Sequence, residues 1–424
     1  MKWRNQLLAL FCLVIFFAFG VFYFRYWVVQ KPFGIILFVG EGLAPDRLAL
    51  ARIYAGGVDK ALRIESLNYN ALLKNYSGDS AIPDAASAAT ALATGVKANN
   101  GAIGIDSAGK ALKNLLELAR DHGRMTGLIT DGRLTSPTAA GFYAHAANLD
   151  RQKFARVLVE KTNVDVILGG GAEDFLPPGK GGTREDDQDL LIAATTAGYD
   201  LVRTRDQLDA VPRWREAKLF GVFASAELGF IQEGTDEGTQ PNLADMVRRG
   251  IELLQFNSGG YLLVVDAGLM RKAAQENDAP QTLAETVEFD RAVGVALEYA
   301  GNNSSIFVCG DFAGPRLGLS GSPPRNLNRT DLFGLNPAGE PWLEWTTRSD
   351  ENHSGRLTSE EAPPESGSFA KSDSRETAES TLPISAASQG SPSDVIAFGT
   401  GLGADGLRGT IETTALFEII RDNL

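Results

Sequence analysis

Apolar runs at Phe33–Val39, Met125–Thr130, Val164–Leu168, Tyr261–Val265 and Ile306–Cys309 alternate with stretches of helical periodicity, and this alternation constrains the fold more than any other feature. The helical stretches are Leu48–Tyr54, Leu112–Arg120, Leu243–Leu254 and Thr282–Tyr299. Mainly apolar runs of strand length, broken only by Asp165 and by Thr126 and Thr130, read as strands buried on both faces. Strands that alternate with helices predict an α/β fold with a largely parallel sheet covered on both sides. The ends of the runs carry a further pattern, because Glu41, Asp266 and Asp311 each stand just past a strand, where α/β sheets hold their ligands. One such acid is usually a cap or a solvated loop residue; three at equivalent places predict a shared site. Asp131–Thr138 reads as the loop at the end of its strand, and Gly169-Gly170-Gly171 closes another.

Leu7–Phe24 is apolar and uncharged, preceded by Lys2 and Arg4 and followed by Arg25. It meets the roughly 18-residue minimum for a membrane span, and the leading cations favour a cytoplasmic N-terminus. A cleaved signal peptide is the alternative. Val21, Phe22, Tyr23 and Phe24 are bulky where a cleavage site needs small residues, which favours an uncleaved anchor. The expected organisation is a membrane anchor and linker over 1–31 and one domain over 32–424. It places a single-pass protein in the cytoplasmic membrane, with its domain close to the bilayer on the periplasmic, extracytoplasmic side.

A formal charge of −13 argues against nucleic acid as a partner. Two cysteines, one of them inside the apolar run, allow no disulfide framework or thiolate metal site, and three histidines cannot build a site that needs several imidazoles. Ser349–Asp394 is rich in Ser, Glu, Pro and Gly with Phe369 as its aromatic, and reads as a disordered insertion. Order is expected to return with a strand at Val395–Phe398 and a helix at Thr413–Arg421.

Pro83–Gly95 is a run of small residues entering a helix behind one acid, Asp84. Such a helix can lie close to a sheet and offer its N-terminus to an anion. Together with Ile36–Gly42, Pro83–Gly104, Gly141–His145, Asp165–Gly171 and Glu344–Thr347, it resembles the alkaline phosphatase family, its bacterial branch in the last of these runs. The resemblance covers roughly Phe33–Leu424 and implies a three-layer α/β sandwich, a serine nucleophile, two zinc ions, one magnesium ion, a phosphate-gripping arginine, and a homodimer as one option.

Carried over residue by residue, that apparatus is largely missing. Ala85 stands at the nucleophile position, and Ser87 lies too far along the helix to replace it. Leu149 stands at the arginine position, with Arg151 nearby as a substitute if the loop is offset. Arg271 and Gln275 occupy the aspartate and histidine positions of one zinc site, for which His353 is a third, relic ligand; on another alignment that position is Gly390. The other zinc site keeps Glu41 and Asp311 but has Phe312 in place of its histidine. Zinc is therefore not expected. The magnesium ligands correspond to Glu41, Thr138 and Asp266, an oxygen set that suits Mg or Ca, unless the acids pair with Arg271 as a dry plug.

The expectation is a pseudophosphatase, a membrane-tethered scaffold or binding protein whose partner is a protein or an anionic ligand. The alternative is an active phosphoric monoester hydrolase with a rewired metal centre.

Overall fold

Successive residues of a single strand feed two separate cores. In β1 (Gly34–Gly40), Ile35, Leu37 and Val39 join one apolar cluster and Ile36 and Phe38 join another, all fully buried. A strand that is apolar at every position can be satisfied only by helices on both faces, and the result is three layers. The computed structural model describes residues 2–23, 33–213, 218–231, 239–314, 317–319, 323–339, 341–345 and 392–424.

The strands continue with β2 (Tyr69–Lys74), β3 (Met125–Arg133), β4 (Val166–Gly170), β5 (Asp200–Val202), β6 (Leu219–Val222), β7 (Tyr261–Ala267) and β8 (Ser304–Gly310). A small separate pair, β9 (Leu317–Leu319) and β10 (Leu343–Trp345), precedes β11 (Val395–Thr400) and β12 (Arg408–Glu412). The main sheet has ten strands in the order β12-β2-β11-β8-β1-β7-β3-β4-β6-β5. All run in one direction except β11, which lies antiparallel between β8 and β2. In the centre, Gly34 of β1 is level with Tyr261 of β7 and Ser304 of β8, so the carboxyl ends of these strands finish side by side.

The observed helices include Pro45–Gly56, Leu115–Asp121, Leu243–Leu254, Ala279–Tyr299 and Thr413–Asp422, matching the periodic stretches with shifted ends. Two expectations are corrected. Asp131–Thr138 is not a loop throughout: β3 runs on to Arg133, and a short helix, Pro137–Gly141, starts at the Ser136 cap. Asp266 lies inside β7, paired with Val39 and Thr130, not after it. The run Met125–Thr130 predicts a shorter β3 because Asp131 and Gly132 have the chemistry of turn residues, yet both are held in the sheet's rim. The insertion expected at 349–394 falls almost wholly outside the described residues, as does His353.

A helix at Lys2–Tyr23 contains Trp3–Val21, long and apolar enough to cross a membrane and exposed along its length. By composition it is a membrane anchor or a signal sequence.

Candidate functional site

The carboxyl ends of β1, β7 and β8 bring the three acids together. Glu41 follows β1 directly, its N–H donating to the Ala267 carbonyl at the end of β7 at 3.4 Å. Asp311 follows β8, and its Oδ1 accepts from the Gly42 N–H at 3.0 Å and the Phe312 N–H at 2.7 Å. Asp266 Oδ2 accepts from the Thr130 hydroxyl at 2.9 Å. All three acids are fully or almost fully buried. Parallel register makes this possible: strands that start level and have equal length finish level, and residues just past their ends become neighbours.

Burying several carboxylates together is costly, and the surroundings reduce their charge. Arg271, on the helix Leu269–Gln275 that follows β7, forms an ion pair through Nε with Glu41 Oε2. The pair is close but off hydrogen-bond geometry, since neither Glu41 oxygen nor Arg271 Nε has a hydrogen-bond partner. Burial lowers the guanidinium's pKa, while Glu41, Asp311 and Asp266 raise it, and the net shift is upward. Burial and the Glu41 charge push the Asp266 carboxyl well above the usual range, and the same causes lift Asp311 to about 7. Asp131 is raised too, mainly by burial, although its Oδ1 accepts from the Leu269 N–H at 3.0 Å. Arg47 closes the other side, donating to the Glu41 carbonyl at 3.1 Å. Its own burial drops its pKa to about 10.

The helix Ala85–Thr94 reaches this edge through its first turn. Asp84 caps it, accepting from the Ser87 N–H at 2.8 Å and the Gly101 N–H at 2.6 Å. Ser87 is structural: its hydroxyl lies 2.8 Å from Asn100 Oδ1, to which it donates, and it is buried. Ala85, Ala88 and Phe312 form one buried apolar cluster. The position expected to carry a nucleophile and the position expected to carry an imidazole therefore pack against each other as hydrocarbon, next to Asp311.

The remaining predicted residues do not gather here. Leu149 is about half exposed. Arg151 Nε lies 3.9 Å from Asp174 Oδ1, and the Asp174 Oδ2 oxygen accepts from the Thr135 hydroxyl, so this arginine has a partner outside the acid group. Gln275 ends its helix exposed. Thr138 is buried and no hydrogen bond joins its hydroxyl to the acids. Arg47, Thr130 and Asp131 are the members that sequence reasoning missed. Arg47 resembles an ordinary helix surface residue, and only its place in the first turn, two residues after Pro45 and under Gly42, could have drawn notice: a Cβ on Gly42 would sit 2.6 Å from Arg47 Nη1.

The donor atoms decide which metals the group could suit. Zinc sites take mainly imidazole or thiolate with tetrahedral geometry; of the three positions expected to carry an imidazole, one holds Phe312, one holds exposed Gln275 and the third, His353, lies outside the described residues, so the residues described do not fit zinc. An oxygen-preferring ion is a closer match, because Glu41 Oε1, Asp266 Oδ1 and Asp311 Oδ2 are buried without hydrogen-bond partners. Against that fit, Glu41 already faces Arg271. Among the described residues, no three acidic, imidazole or thiol groups are gathered so as to hold an ion.

Solved structures share the architecture. The alkaline phosphatase of Thermus thermophilus superposes with a TM-score of 0.73 over 93% of this chain and 92% of its own, at 24% identity. That of the Antarctic bacterium TAB5 gives 0.71 over 93% and 98%, at 19% identity, and structures of TAB5 variants hold Mg in a site called M3. Fold and acid-lined carboxyl edge thus define a three-layer α/β protein of the alkaline-phosphatase-like fold. The tissue-nonspecific alkaline phosphatase of Gallus gallus is 31% identical over 353 residues, 72% of this chain and 67% of that protein. Alkaline phosphatase H of Pseudomonas aeruginosa is 32% identical over 318 residues, 64% and 67%. The family model described as alkaline phosphatase matches residues 34–424, and the chain belongs to the alkaline phosphatase family, a family of phosphoric monoester hydrolases.

Proposed function

We propose that this chain is a non-catalytic alkaline-phosphatase-family protein, held to the membrane by its N-terminal helix on the extracytoplasmic side and acting as a scaffold or binding protein. The observation that carries this reading is the Ala85–Ala88–Phe312 cluster. Covalent phosphoryl transfer needs a nucleophilic oxygen at the helix start and a cation to polarise it. Alanine supplies no oxygen, the phenylalanine ring supplies no ligand, and their mutual packing fills the place with apolar surface. The Arg271–Glu41 ion pair supports the same reading, because a guanidinium beside the first acid repels a divalent ion that would compete for that carboxylate.

The test is turnover. The purified chain, incubated with an aryl phosphate at alkaline pH with zinc and magnesium, is expected to release no product. Saturable turnover that a chelator abolishes and Glu41→Ala removes would overturn the proposal.

A second reading, an active hydrolase with a rewired centre, draws on the buried oxygens of Glu41, Thr138, Asp266 and Asp311 that make no hydrogen bond. On that reading these residues hold magnesium or calcium. Elemental analysis bears on this site: stoichiometric magnesium or calcium supports an ion held by these oxygens, and stoichiometric zinc contradicts the donor argument altogether.

A further inference from the structure

The sheet has another edge, opposite the acids, at the amino ends of its parallel strands. The chain enters the domain there: the Phe33 N–H donates to the Asn303 carbonyl at 2.6 Å and the Phe33 carbonyl accepts from the Tyr261 N–H at 3.0 Å. Large apolar side chains are exposed around this entry. Phe256 stands in the turn before β7, and Leu297 and Tyr299 end the helix Ala279–Tyr299. Leu402 follows β11, which runs back to this edge, and its carbonyl accepts from the Ser305 hydroxyl at 2.8 Å. Gln255 ties the first group together by donating to the Tyr299 carbonyl at 2.6 Å.

Leu297 also lines an open cavity of about 780 Å³ between the end of the helix Pro45–Gly56, the loop before β2 and the helix Ala279–Tyr299. Lys60, Arg63, Arg291 and Arg329 contribute to its wall, against Asp290 and Glu298. Basic side chains beside exposed apolar ones, on a protein whose net charge is −13, form a local reversal of charge.

Residues 24–32 separate the apolar helix from Phe33, and even fully extended they span at most ~30 Å. A helix in the bilayer therefore keeps this edge near the membrane surface. We infer that the amino-end edge of the sheet docks on an anionic phospholipid surface, with Phe256, Leu297, Tyr299 and Leu402 in the interface and the cavity around Lys60 and Arg63 taking lipid phosphate. Apolar burial and attraction of basic side chains to anionic lipid act together at such surfaces. The inference rests on the reading of the N-terminal helix as a retained anchor.

The experiment uses the full-length chain with Cys12→Ser and places a nitroxide on Phe256→Cys in one sample and on Leu149→Cys, before the helix Arg151–Glu160, in another. Each is reconstituted in vesicles of phosphatidylcholine with phosphatidylglycerol. Collision with dissolved oxygen and with a water-soluble nickel chelate reports the surroundings. The expected result is a label at 256 shielded from nickel and a label at 149 open to it, with the shielding reduced in pure phosphatidylcholine and by Lys60→Glu with Arg63→Glu. Equal nickel access at both positions with the helix in place overturns the inference. Shielding unaffected by lipid charge and by the double substitution removes the phosphate site from it. Mass measurement of the chain extracted from native membranes tests the anchor separately, since a chain lacking residues 1–23 overturns that reading.

Discussion

Arg271 and Glu41 hold each other's charge in place, because a carboxylate with no exposure would otherwise have to be neutralised. Arg271→Met is expected to lower stability by about 2–3 kcal/mol in urea denaturation, less than a fully buried pair would lose because the arginine keeps some exposure. Magnesium is expected to leave the native chain's midpoint unmoved. Ala85→Ser is expected to restore no aryl phosphate turnover, since Phe312 and Arg271 remain in place. Glu41, Asp266 and Asp311 were legible in the sequence as acids that follow apolar runs. Arg47 and Asp131 were not: Arg47 is buried only because its helix folds back under Gly42, and Asp131 has the chemistry of a turn residue although β3 carries it. Glu285 was equally hidden. It is lifted to about 7 by burial while accepting from the Ile231 N–H at 2.7 Å. An acid whose folded pKa exceeds its unfolded value contributes stability at low pH that is lost as pH rises from about 4.5 through about 7. Glu285→Gln keeps the acceptor and removes the titration. Its stability relative to the native chain is expected to rise between pH 5 and pH 8 by no more than about 3 kcal/mol, read from denaturation midpoints at each pH.

The small residues of the helix Ala85–Thr94 are explained by what surrounds it. A Cβ on Gly141 of the neighbouring short helix would sit 2.6 Å from the Ala89 Cβ, so these two elements approach as closely as glycine and alanine allow. Gly95 ends the helix in the left-handed region, with the Phe417 ring against it. The acid that opens this helix remains engaged whether or not there is chemistry above it. Asp84→Ala, which removes the cap to Ser87 and the bond to Gly101, is expected to cost about 1–2 kcal/mol, measured by thermal or urea unfolding. Elements of this kind were readable because composition and cap agree. β2 was not, because only alternate residues from Ala71 onward are buried and its run carries Asn70 and Lys74. β12 was missed for a related reason: Arg408, Gly409 and Thr410 are exposed. Central strands announce themselves by hydrophobicity, whereas strands toward the margin are defined by the partner they find.

At the scale of the whole molecule, the proposed reading of the apolar helix as a retained anchor gives it and the domain separable roles. A chain lacking residues 1–31 is expected to appear in the soluble fraction after membranes are washed at high pH, while the full chain stays with the lipid. The reversed strand β11 has a consequence for how the chain is made. β2 pairs with β11 and β12 alone, and both lie beyond residue 392, so a segment near the start of the domain waits for one near its end. Contacts of such sequence separation form late, and an unpaired strand is a template for association with other chains. While the polypeptide is still emerging, β2 and the outer side of β8 both stand open. Ribosome-stalled or prematurely terminated chains ending before Val395 should therefore sediment as aggregates, where chains extended through Leu424 stay dispersed in the same detergent.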